Sequence, residues 1–79
     1  MDAHLEFDET KLLAARAKHE AWLSRQNGFA GSGLGVGRNG QVCLKIYTNK
    51  MPEETRQNVG AVLASVPFEF EELGDIHAL

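Results

Sequence analysis

The chain has 79 residues and a formal charge of -3, with 43% hydrophobic and 24% charged residues. That is room for one small core, too little for a deep substrate cavity, and an ordinary globular balance. One cysteine excludes an intrachain disulfide or a CxxC metal or redox site, and no stretch approaches the ~18 apolar residues of a membrane span. The acidic start, with Asp2, Glu6, Asp8 and Glu9 in the first ten residues, is unlike a signal peptide. A cytoplasmic, single-domain protein over residues 1–79 is expected, with no membrane partner.

Residues 1–8 read either as a loose terminus or, through the alternation Ala3-His4-Leu5-Glu6-Phe7, as a short strand. Asp8 or Thr10 then caps a helix running to about Gln26, stopped by Asn27-Gly28. At 100° per residue Leu12, Ala15, His19, Trp22 and Leu23 gather as its core stripe. Lys11, Lys18 and Arg25 line the opposite face. Residues 11–50 hold seven bases against the single acid Glu20, so the centre is basic between acidic ends.

The stretch Gly31–Gly40, GSGLGVGRNG, looks like a phosphate cradle but fits none. A dinucleotide fingerprint would need a third glycine at Val36 or Arg38; a Walker A loop would need Lys and Ser or Thr where Gln41 and Val42 stand. Glycines alternate at 31, 33, 35 and 37 with Ser32, Leu34, Val36 and Arg38, and period two is the strand period. Asn39-Gly40 predicts a two-residue type I′ turn, with Gln41–Thr48 returning as the second strand. Partners then sum to 79, so Gly37, Gly35 and Gly33 face Val42, Leu44 and Ile46, and a helix comes close over the bare glycine track. Leu34, Val36, Cys43, Lys45 and Tyr47 fall together on the other face, a mixed surface suited to docking.

Pro52-Glu53-Glu54 opens a second helix, with proline in the first turn and acids at the positive end of the dipole. Thr55, Val59, Val62, Leu63 and Val66 form its buried side, and Gly60 is expected to mark a close approach. Val66–Glu71 alternates again as a strand with Val66, Phe68 and Phe70 inward; Pro67 suits an edge or a strand start. After a turn at Gly74-Asp75, Ile76–Leu79 is expected as a last strand. The fold class is α+β, an αββαββ two-layer sandwich with two helices on one face of an antiparallel sheet; the alternative is a ferredoxin-like βαββαβ order.

Catalytic chemistry finds no frame. Ser32 lacks the G-x-S-x-G elbow. His4, His19 and His77 have no metal-ligand spacing, and Cys43 has Lys45 as its one cationic neighbour. Glu69 and Glu71 share a strand face and, with Glu72 and Asp75, read as a solvated acidic edge. No catalytic, cofactor or metal residue is assigned.

The segments GFAGSGLGVGRNGQVCLKIYTNK and VPFEFEELGDIHAL, covering roughly residues 28–79, resemble a small bacterial domain with a VGVGVG strand and hairpin followed by a GVPVEV-like C-terminal strand. Phe29-Ala30-Gly31-Ser32 stands where that pattern has Val-Val-Gly-Val. Members occur alone or ahead of trypsin-like peptidase domains, and their function is undefined. The resemblance implies, as an alternative, a regulator associated with such a peptidase. From the residues themselves the expected function is a non-catalytic interaction module that pairs with itself or another protein through Leu34, Val36, Cys43, Lys45 and Tyr47. A weaker alternative is nucleic-acid binding through Lys11, Lys18, Arg25 and Arg38.

Overall fold

A computed structural model describes residues 8–73. The N-terminal strand alternative at residues 3–7 and the expected last strand at 76–79 lie outside those residues. The elements run α1 (Glu9–Leu23), β1 (Phe29–Val36), β2 (Val42–Thr48), α2 (Glu53–Val62) and β3 (Phe68–Glu72). The described residues form an α+β fold with two helices and one three-stranded sheet, ordered β1-β2-β3.

Asp8 starts α1: its side chain accepts the Lys11 backbone N–H at 3.0 Å, satisfying one of the helix's orphan donors. The helix stops at Leu23, three residues earlier than expected, and Ser24 supplies the cap position. Gly28 does take the expected left-handed conformation, at φ +88. It serves the entry to β1: a Cβ there would lie 2.5 Å from Met51 Cα, so the two connections pass in contact. Asn49 N–H donates to the Gly28 carbonyl at 2.8 Å across this crossing.

The hairpin differs from expectation by one residue. β1 and β2 are antiparallel with Gly33 opposite Lys45, Leu34 opposite Leu44 and Gly35 opposite Cys43, so partners sum to 78. The cause is the turn. Gly40 N–H donates to the Gly37 carbonyl at 2.9 Å and Gly37 N–H to the Gln41 carbonyl at 2.8 Å, while Gly40 alone in the loop has positive φ, +83. Asn39 stays out of the left-handed region and its side chain accepts from Gln41 N–H at 3.0 Å. That is a three-residue loop closed by a left-handed glycine in place of the two-residue I′ turn. A slip of one residue exchanges the faces of a strand. Leu34 therefore joins Leu44 and Ile46 under the helices, and the glycine track moves to the opposite face.

The sheet is mixed, not antiparallel. β3 runs parallel to β2, pairing Leu44 with Phe68, Ile46 with Phe70 and Thr48 with Glu72. β2-α2-β3 is thus a direct crossover unit; the ferredoxin-like alternative would place another strand between the two. Leu12 and Leu23 of α1, Val59 of α2, and Leu44, Ile46, Met51, Leu63 and Val66 form one buried cluster, with Phe68 and Phe70 packed against it. The two phenyl rings meet edge to face, 5.4 Å between centroids. Both helices lie on this one face. Val62, expected inside, is 39% exposed. Gly60 marks no close approach: the atom nearest a Cβ there is Phe68 Cζ at 3.9 Å, an ordinary contact.

Candidate interaction site

The slipped register divides the expected docking surface. Leu34 and Val36 lie on the helix side of the sheet, whereas Cys43, Lys45 and Tyr47 share the open side with Gly31, Gly33 and Gly35. The glycine track receives side chains from β2 instead of a helix. A Cβ on Gly35 would sit 2.9 Å from Lys45 Cγ, and one on Gly33 3.9 Å from the Tyr47 ring. Lys45 thus lays its aliphatic stem over bare backbone, as amphipathic chains do, and its side chain is only 14% exposed.

The parallel strand brings Lys45 its partners. Lys45 Nζ lies 3.1 Å from Glu69 Oε1 and 3.5 Å from Glu71 Oε1. Glu69 Oε2 also accepts the Arg38 backbone N–H at 2.7 Å, which ties the hairpin loop to β3. Three groups here are shifted by their neighbours. The Arg38 N–H, then Lys45, hold the Glu69 carboxyl below its usual range. The hydrogen bond that Lys45 donates to Glu69 holds the lysine above its usual range. Burial, reinforced by Glu69, pushes the Cys43 thiol up. These shifts favour the carboxylate of Glu69, the ammonium of Lys45 and the thiol of Cys43. A hollow of about 580 Å³ beside it is lined by Asn39, Gln41, Val42, Cys43, Pro67, Phe68 and Glu69. Its Gln41 backbone N–H and its Glu69 carboxylate are already bonded within the chain.

The expected acidic edge is therefore largely paired. Glu72 accepts from the Thr48 hydroxyl at 2.7 Å and the Lys50 N–H at 2.9 Å, and lies 3.3 Å from Arg56, whose guanidinium stacks 4.9 Å from the Phe70 centroid. Asp75 lies outside the described residues. Lys11, Lys18 and Arg25 are exposed, as the helical stripe anticipates. His19 is half-buried, and among the described residues no group of three or more His, Cys, Asp and Glu is placed to hold a metal. No described helix is long and apolar enough to cross a membrane.

What the sequence reading missed is the outer edge of β1. Among the described residues β1 pairs on one side only, with β2. Because Gly37 bonds inward to Gln41 and the antiparallel ladder alternates, Gly35, Gly33 and Gly31 also bond inward, while Ser32, Leu34 and Val36 turn N–H and C=O outward. Leu44 N–H, opposite Leu34, accordingly donates away from β1, to the Pro67 carbonyl at 2.9 Å. A bulge between Phe29 and Gly31 limits the regular edge to its last six residues, 31–36.

α1 packs on β1 and β2 beside this edge. Ala15 and Trp22 pack inward against the core, and Arg16, on the other flank of Leu12, donates from Nε to Ser32 Oγ at 2.8 Å. Leu13, 60° further round, is on the β1 side of the helix and 50% exposed. Val36, on the same side of the sheet, is 66% exposed. The outward amides and these two apolar side chains make a ledge shaped for an extended segment. The signal was present in the uncharged run from Asn27 to Gly37, but it pointed to an edge only once the strand order was known. No protein-family model, curated protein or solved structure matches this chain.

Proposed function

We propose that this protein is a non-catalytic interaction module that accepts an extended strand at the outer edge of β1. The observation that carries this is the asymmetry between the two edges of the sheet. β3 follows Pro67 and bears Glu69, Glu71 and Glu72, features that keep foreign strands away, whereas β1 has neither charge nor proline and offers a row of outward amides. Strand addition draws affinity from main-chain bonds and specificity from alternate side chains. Here Leu13 and Val36 favour apolar residues on the helix side of the incoming strand.

The test is amide-resolved NMR during titration with binders selected from a random extended-peptide library. Binders are expected to shift and protect Ser32, Leu34 and Val36 while leaving β3 unaffected. Binders that perturb only β3, or the Lys45 face, would sink the proposal.

A further inference from the structure

The same edge suits one occupant in particular, and this inference rests on the strand-addition reading above. We propose that the incoming strand is β1 of a second copy, joined antiparallel about a two-fold axis into a continuous six-stranded sheet.

Geometry supports this first. α1 packs against both β1 and β2 on one face of the sheet. A strand added at about 4.8 Å brings the α1 of the second copy beside the first on that same face. With Leu34 opposite its own copy, Ser32 faces Val36 of the second copy, and all three outward residues find main-chain partners. Arg16 is level with Ser32. Leu13, three residues back, lies about 4.5 Å closer to the level of Leu34, the axis residue. The exposed Leu13 of each copy therefore meets its counterpart near the axis, where an apolar contact is self-complementary.

Charge supports it second. The strand brings no charge, so two copies meet without like-charge repulsion along the ladder. Lys11, Lys18 and Arg25 project from the flank of α1 away from the seam. Arg16 and Glu20, on the seam flank, already pair with one another at 3.5 Å. An acidic or basic peptide would gain nothing at this edge that an uncharged copy does not.

The experiment combines light scattering over a concentration series, in low and high salt, with hydrogen exchange of individual amides. Expected is a dimer that persists in high salt, with Ser32, Leu34 and Val36 protected in it. Val36→Pro removes one outward donor without touching the β1–β2 ladder, and Leu13→Glu places two like charges at the axis; each should weaken the dimer at least tenfold. Both variants are checked for an unchanged far-ultraviolet spectrum, and because they act through different groups, misfolding of one leaves the other decisive. A monomer with freely exchanging Ser32, Leu34 and Val36 amides at millimolar concentration overturns the self-pairing, while the peptide titration still judges the wider reading. A dimer with those amides unprotected also overturns it. Protection in a monomer would mean the edge closes within one chain, and both readings fall.

Discussion

The same substitution at two glycines should change stability in opposite directions. At Gly28, alanine must adopt φ +88, which costs an L residue about 1–2 kcal/mol, and its Cβ would sit 2.5 Å from Met51 Cα and 2.9 Å from Met51 N. Those are backbone atoms that no rotamer change can move, so an overpacking cost of about 1–3 kcal/mol adds to the strain. The lower entropy of the unfolded alanine chain returns under about 1 kcal/mol. Gly28→Ala is therefore expected to cost about 2–4 kcal/mol, a large share of the roughly 4–12 kcal/mol typical for this length. At Gly60, inside α2, the nearest neighbour is 3.9 Å away and φ is helical, so Gly60→Ala should stabilise by up to about 1 kcal/mol. Urea unfolding followed by circular dichroism reads both. In thermal unfolding of a chain of this size Gly60→Ala should raise Tm by up to about 8 °C and Gly28→Ala lower it by at least about 8 °C. Destabilisation by Gly60→Ala, or a loss under about 0.5 kcal/mol for Gly28→Ala, would refute the reasoning from these contacts.

Three further expectations concern the polar groups of the sheet. Glu69 has its folded pKa depressed, so it contributes stability above its unfolded value, near 4.5, that is lost as pH falls through the folded value. Glu69→Gln should flatten the acid limb of a stability–pH curve, and an unchanged acid limb would contradict the Arg38 and Lys45 contacts. Cys43 and Lys45 have raised folded values, so their contributions are fully present below their unfolded values, near 9.0 and 10.5, and are lost as pH rises through the folded ones. The Cys43 thiol, 5% exposed, should react with a disulfide reagent in the native state at least tenfold more slowly than in urea. Native labelling at the unfolded rate would show that the thiol is open. Thr48→Val keeps the shape of a fully buried side chain but removes its bond to Glu72, and should cost about 1 kcal/mol by urea titration. A neutral result would mean that the Lys50 and Arg56 contacts suffice to hold Glu72.

Local chemistry made much of the fold legible. The cap at Asp8, the i, i+3, i+4 run through Leu12 and Leu23, the proline and acids opening α2, and the alternation of Phe68 and Phe70 are all decided within a few residues. Such short-range rules give an element its type. The same rules placed Cys43, Lys45 and Tyr47 on one face, because residues two apart on a strand cannot do otherwise. What they could not decide was the relation between strands. One added loop residue at the hairpin, with Gly40 rather than Asn39 left-handed, carried Leu34 to the core and the glycines to the open side. The competing turns differ little locally; burial of Leu34 against Leu44 distinguishes them, and that energy exists only once the helices are in place.

Strand order and direction belong to the same class of long-range choice. Nothing within Val66–Glu72 announces whether it pairs parallel or antiparallel, yet its pairing with β2 brings Glu69 and Glu71 to Lys45 and, among the described residues, leaves β1 at the edge. By itself the sequence determined a small α+β chain with an uncharged, glycine-rich strand and no motif for catalysis. Tertiary structure decided which side of that strand is used up. A backbone donor is satisfied or available according to its neighbours, and only packing assigns a strand its neighbours.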